Sequence, residues 1–297
     1  MSLLRFTLPL VALALLLSGA APADDVSAKQ KKVAAENLAK AEIAKGAATE
    51  GETVIVAGPL PAGRLKTIAD SLSKTNKLAR KALQFDDKDE PWKGKLTIYY
   101  LPERKDFAQF MRLVVGSRPE GNYHIAVRGD EPYVVGGVDL NAKATDGDVA
   151  AELGPLLAGA MMQAKVGTAA AIPPWVRLGM GRAVALRADG VTGKRYSAYK
   201  SQARVAVLGG AGKPGAPIAD IWTGDRADGS LLATSLMDYF AFGPGKTNFG
   251  KFLSALRPDE TGKEPDIAKV IEDAGWKRPI DLEAAWKKWV TAGSPAK

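Results

Sequence analysis

Two counts bound the chemistry open to this chain: one histidine, His124, and no cysteine in 297 residues. Without cysteine there are no disulfides, thiolate-held zinc ions, iron–sulfur clusters or cysteine nucleophiles. One histidine excludes any metal site built on two imidazoles, and a Ser-His-Asp triad would have to use that single ring. His124 follows Tyr123 in a stretch that reads as a strand; a lone strand histidine is first a packing residue and only second a ligand contact. Trp175 follows two prolines and reads mainly as packing, with lining a cleft as its second role. Arg177, Arg182 and Arg187 recur every five residues, which spreads them around a helix and predicts solvated or individually paired guanidiniums. Two glycine-rich stretches mimic nucleotide motifs and fail. Gly243-Pro244-Gly245-Lys246-Thr247 has Phe240 where a phosphate-binding loop needs its first glycine, and it follows a helical pattern where a strand is required. Gly179-Met180-Gly181 lies within a helical pattern and has Val184 where a third glycine belongs.

The elements that would carry these residues fall into two groups. In the first, Thr53–Ala57 is a β-branched run closed by Gly58 and Pro59, hence a strand. Leu65, Ile68, Ala69, Leu72, Ala79 and Leu83 then recur at helical spacing, with Lys74, Lys77 and Lys81 on the other side. Lys95–Leu101 reads as a second strand and Asp106–Val115 as a short helix burying Phe107, Phe110, Met111 and Val114. Tyr123–Val127 and Tyr133–Val135 read as a strand pair across the turn Arg128-Gly129-Asp130.

From Asp146 the pattern is almost wholly helical. Asp148–Lys165 is an apolar helix with Asp146 or Asp148 as its cap. Pro173-Pro174 opens another, to about Ala188. Ser230–Phe242, Asn248–Leu256, Pro265–Ala274 and Asp281–Val290 follow, the last with Leu282, Ala285, Trp286 and Trp289 on one face. Gly209–Pro217 reads as a long loop.

Composition is that of an ordinary folded chain, 46% hydrophobic and 25% charged. The start has the layout of an export signal: Arg5, an apolar run Leu8–Leu17, then Ala21-Pro22-Ala23 as a cleavage pattern. That run is well short of the ~20 residues a membrane span needs. Ala20 stands where a lipoprotein signal would carry its lipidated cysteine, so the expected product is secreted or periplasmic and not lipid-anchored. Removing residues 1–23 removes only Arg5 and lowers the net charge from +8 to +7. No basic run interleaved with aromatics marks a nucleic-acid surface. The positive balance leaves weak contact with anionic envelope polymers open.

The order strand, helix, strand, helix, hairpin, long helix, then Pro-Pro-Trp opening the next helix, resembles the exported gluzincin-like peptidases of the peptidase MA-like type. Three stretches carry the resemblance: Ala151-Glu152-Leu153-Gly154-Pro155, Pro173 to Gly179, and Asp281 to Trp286; Ala233-Thr234-Ser235 with Asp238 and Tyr239 adds to it. In that family the long helix carries H-E-x-x-H, and a glutamate on the next helix completes a zinc site. Carried over, the two histidines become Ala151 and Pro155, the third ligand becomes Leu178, and only the general-base glutamate survives, as Glu152. None of the three replacements offers a lone pair to a metal, and without zinc no water beside Glu152 is activated. Pro155 should also kink or locally unwind its helix, at ~3 kcal/mol or more. The family's strand before the site helix runs along the substrate cleft, which would put Tyr123 and His124 at its edge.

The expectations follow. The fold class is α+β, a small N-terminal mixed sheet with helices packed on a mostly helical C-terminal half, in the gluzincin arrangement. Residues 1–23 are a signal peptide, 24–50 a charged helical or flexible lead-in with little to bury, 51–140 an α/β subdomain and 141–297 a helical subdomain with a degenerate site. The expected function is that of a non-catalytic peptidase-like protein binding a peptide or protein in the former cleft. Degenerate positions are Ala151, Glu152, Pro155 and Leu178; candidate contacts are Tyr123, His124, Glu152 and Trp175. No cofactor, metal, nucleic acid or membrane span is expected. A hydrolase working through Glu152 without zinc and a basic envelope-binding module stand as alternatives.

Overall fold

The computed structural model describes residues 23–295 except 87, 128–130, 142, 168–171, 211–212, 216, 224–228 and 258–265. Residues 1–22 of the proposed export signal 1–23, and the turn Arg128-Gly129-Asp130, lie outside the described residues.

The N-terminal half is built on five short strands. They are β1 (Ala47–Glu50), β2 (Val54–Gly58), β3 (Leu96–Tyr100), β4 (His124–Ala126) and β5 (Tyr133–Gly136), in the order β1-β2-β3-β5-β4. The central strands β2, β3 and β5 are parallel, and the two edges, β1 and β4, are antiparallel. Parallel strands need cover on both faces, which explains why β2 and β3 are buried along their whole length. Strand periodicity divides the side chains. Val54, Val56, Leu96, Ile98 and Val134 meet α2 (Ala62–Ala82) and the C-terminal half. Ile55, Ala57, Tyr99 and Val135 face the other way, with Phe107 and Phe110 of α3 (Arg104–Phe110), which continues into a π-helical stretch, Met111–Val115.

The second face is completed by α1 (Ala23–Lys40), and here the structure departs from the expected lead-in with little to bury. Ala34, Leu38, Ala41 and Ile43 are buried against the sheet, and Ser27 and Gln30 are buried with them. The stripe escapes a hydrophobicity reading because it is half polar. Gln30 Nε2 donates to the Lys93 carbonyl and Gln30 Oε1 accepts from the Lys95 amide, while Asn37 Nδ2 donates to the Tyr99 hydroxyl at 2.9 Å. Ser27 Oγ and Lys95 Nζ both donate to Glu50 Oε1 at 2.5 Å, tying α1 to β1.

That carboxylate makes a pH prediction. Hydrogen bonds from Lys95 and then Ser27 hold Glu50 below its ordinary value. A depressed carboxylate stabilises the fold above its unfolded value, and the contribution is lost as pH falls through the folded value. The melting midpoint should therefore drop between pH 6 and pH 3, and Glu50→Gln should make that drop shallower. An equally steep acid limb in Glu50→Gln would assign it to other groups.

The C-terminal half is helical. It consists of α4 (Asp146–Val166), α5 (Pro174–Ala188), α6 (Lys194–Leu208), α7 (Ala219–Thr223), α8 (Gly229–Phe242), α9 (Lys246–Ala255), α10 (Ile267–Asp273) and α11 (Pro279–Thr291). In place of the expected long loop after α6, Gly209–Gly210 pairs with Lys213–Pro214 as a minimal antiparallel ladder. Phe240 anchors the lower core, stacked 4.5 Å from Phe252 and edge-on to Trp276 at 5.4 Å. Leu282, Trp286 and Trp289 of α11 dock as their shared face predicts, and Trp286 Nε1 donates to Ser235 Oγ at 3.1 Å. Among the described residues no helix is long and apolar enough to cross a membrane.

Candidate functional site: a cavity between α4, α5, α6 and α8

The site starts at the N-terminus of α4. Thr145, and neither of the expected aspartates, is the N-cap: its hydroxyl accepts from the Asp148 amide, and Asp148 returns a bond from the Thr145 amide at 3.0 Å. This reciprocal pair satisfies two otherwise orphaned donors. Asp148 is held below the ordinary carboxylate range by those Thr145 bonds first and by Arg195 after them. Asp146 is instead taken by Arg64, at 2.7 Å.

Pro155 does not unwind α4, contrary to expectation; the backbone is helical throughout Asp146–Val166. Packing supplies the reason. α5 runs antiparallel along α4, with Gly159 against Arg177, Pro155 against Gly181 and Gly154 against Ala185. A Cβ at Gly181 would lie only 2.1 Å from the Pro155 carbonyl oxygen, so the two backbones approach as closely as glycine allows. This contact and α2 on the other side hold the helix together through Pro155. Proline still leaves the Ala151 carbonyl without its i+4 N–H donor. Ala151 and Pro155 both line a cavity, so this turn of α4 forms part of its wall.

The cavity is an open cleft of about 770 Å³. α4 contributes Ala151, Glu152 and Pro155, and α5 contributes Arg182, Ala185 and Leu186. α6 adds Arg195, Tyr199 and Gln202, and α8 adds Ser230, Leu231 and Thr234. Arg195 bridges Asp148 at 2.5 Å and Asp189 at 3.2 Å, which ties α6 to the starts and ends of the two helices beside it. Arg182 donates to the Ser230 hydroxyl, fixing its guanidinium toward α8. Glu152 is exposed, and it makes no hydrogen bond or ion pair among the described residues.

Behind the cavity lies a buried charged cluster. Asp238 is fully buried and receives Arg187 Nε at 2.5 Å. The hydroxyls of Tyr196 and Tyr199 point at its other oxygen, at 3.3 and 3.5 Å. The Arg187 guanidinium sits over the Phe242 and Tyr196 rings, at 4.5 and 5.1 Å. Burial pushes the Asp238 carboxyl up, against the pull of Arg187 and the two hydroxyls. Burial, then the Asp238 charge, keep the Tyr199 phenol protonated. Tyr199 thus connects the cavity wall to this cluster.

Three of the four degenerate positions, Ala151, Glu152 and Pro155, share the cavity, and Leu178 does not. Arg182, one turn further along α5, lines the cavity. Tyr123, His124 and Trp175 are also outside it. The cause is the antiparallel run of α4 and α5. It puts the first turn of α5 over the C-terminal half of α4, where a Cβ on Gly159 would meet Arg177 and Ile125 of β4. The cavity opens at the other half. His124 is half-buried beside the first turn of α5, away from the cavity, and burial followed by the nearby Arg177 charge lowers its pKa below the ordinary histidine value. It stacks loosely with Tyr133 at 5.9 Å. Trp175 packs on the main core.

Residues that sequence reasoning missed come mostly from α6, an element it did not expect. Tyr196, Tyr199, Ala203 and Val207 form a buried stripe at helical spacing, which was a readable signal.

A zinc ion does not fit here: the Ala151 and Pro155 side chains bring no metal-binding atom into the cavity, and the Leu178 side chain neither lines it nor carries one. Among the described residues no three His, Cys, Asp or Glu side chains are grouped to hold a metal. No protein-family model matches the chain, and neither a curated protein nor a solved structure matches it.

Proposed function

We propose that this chain is a non-catalytic, exported, peptidase-like protein that binds a peptide-class ligand in the cavity around Glu152. The observation that carries the reading is the content of that cavity. It keeps the glutamate of the family pattern, replaces both histidine positions with groups that cannot hold zinc, and remains large enough for a ligand. About 770 Å³ is within the range of small-molecule sites. The order of elements, from the strand–helix–strand start to the Pro-Pro-Trp helix, supports the peptidase-like part. The charged lining is balanced, with Lys143, Arg182 and Arg195 against Asp148, Glu152 and Asp189. The cavity therefore does not repeat the chain's positive balance, which weighs against an anionic polymer as its occupant.

The test is a pool of random tripeptides passed with the protein over a sizing column, with retained peptides read by mass spectrometry. Intact peptides should co-elute. Leu231→Trp, which fills the cavity from α8, should reduce their recovery at least tenfold. Equal recovery with Leu231→Trp, or no retained peptide with the native chain, would overturn the proposal.

A further inference from the structure

The pairing of charges in the cavity goes one step further. Arg195 is matched by a carboxylate on each side, Asp148 and Asp189. Glu152, Arg182 and Lys143 have no ionic partner among the described residues. Lys143 is exposed on the loop before α4, whereas Arg182 is anchored by Ser230 on a helix wall. A guanidinium has five N–H donors, so one bond to Ser230 leaves a fork free for a planar acceptor. On the facing helix, Glu152 is accompanied by the Ala151 carbonyl, the acceptor that Pro155 deprives of its helical donor. A carboxylate and a carbonyl together suit an ammonium, which brings three donors. Ala151, Pro155, Ala185 and Leu231 supply an apolar floor.

Resting on the reading of the cavity as a peptide site, we propose that its ligand is a short peptide with both ends free. Glu152 and the Ala151 carbonyl receive the terminal ammonium, and Arg182 receives the terminal carboxylate. Reading both ends in one cavity limits length. An extended tripeptide spans about 10 Å, a scale that a cavity of about 770 Å³ accommodates.

The experiment compares the random tripeptide pool with N-acetylated and C-amidated versions of the same pool, and with free alanine, using the full chain. Either block should lower recovery at least tenfold. Glu152→Gln should abolish discrimination against the acetylated pool alone, and Arg182→Met discrimination against the amidated pool alone. If blocked pools are retained as well as the free pool and Leu231→Trp still removes them all, the cavity reading stands and this inference fails. Alanine binding without tripeptide binding also overturns it. Retention of no pool removes both. The native chain with blocked pools decides the matter even if a variant fails to fold.

Discussion

Asp238→Ala is expected to lower the free energy of unfolding by about 3–5 kcal/mol, the range for breaking a buried ion pair from one side. The side chains of Arg187 and Asp238 are 4% and 0% exposed, so neither charge can turn to water when its partner is removed. The two directions are not equivalent. Arg187 cannot shed its proton, so Asp238→Ala leaves a fixed buried positive charge, eased by the Phe242 and Tyr196 rings. Arg187→Met leaves a carboxyl that burial already pushes up, and it can take a proton. A raised folded value means stability is present below the unfolded value and is lost as pH rises through the folded one. Arg187→Met should therefore be the milder change at pH 5 and should worsen toward pH 8. Urea midpoints at the two pH values measure this. A paired Arg187→Met, Asp238→Leu variant should recover most of the loss, since apolar replacement of both partners is often neutral or better. Equal losses for the two single variants at both pH values would mean that the pair is not desolvated as described.

Gly181→Ala should cost about 1–3 kcal/mol, the usual penalty for overpacking. An alanine elsewhere in a helix interior would gain about 1 kcal/mol over glycine. At Gly181 the added carbon would meet the Pro155 carbonyl oxygen at 2.1 Å and its carbon at 2.8 Å. Both are backbone atoms, so the helices must separate. Separation of α4 and α5 changes the cavity wall, and tripeptide recovery should fall with stability. Gly63→Ala is the matched control: it lies in α2 with nothing within 4 Å of the new carbon. It should leave the urea midpoint unchanged or raise it. A neutral Gly181→Ala would show that α4 and α5 do not touch backbone to backbone at Pro155.

The fold was legible wherever one face of an element is apolar at a regular period. Strands β2 and β3, helix α2 and the Leu282–Trp286–Trp289 face of α11 all announce themselves in this way. Helix α1 did not, because Ser27 docks by a hydrogen bond to β1, and Gln30 and Asn37 by hydrogen bonds to β3 and its approach, so all three look solvated in a sequence. The site was legible only in part. Helical spacing puts Ala151 and Pro155 on one face and the family resemblance adds Glu152, and all three line the cavity. Whether Leu178 or Arg182 turns toward that face depends on the register of two antiparallel helices. Here that register is set by the glycine contacts at 154, 159 and 181. A five-residue arginine spacing likewise could not distinguish Arg182, at the cavity wall, from Arg187, in the core. That choice was made by Ser230 and Asp238, which belong to an element more than forty residues away in sequence.

The central claim is a ligand cavity around Glu152 that performs no metal-dependent cleavage. It is tested most directly on protein purified without chelators, measuring bound metal per chain and new amino groups released from an incubated tripeptide pool in the same sample. The account predicts metal well below one equivalent and a pool recovered intact. Close to one equivalent of metal, with peptide cleavage that Glu152→Gln abolishes, would contradict it.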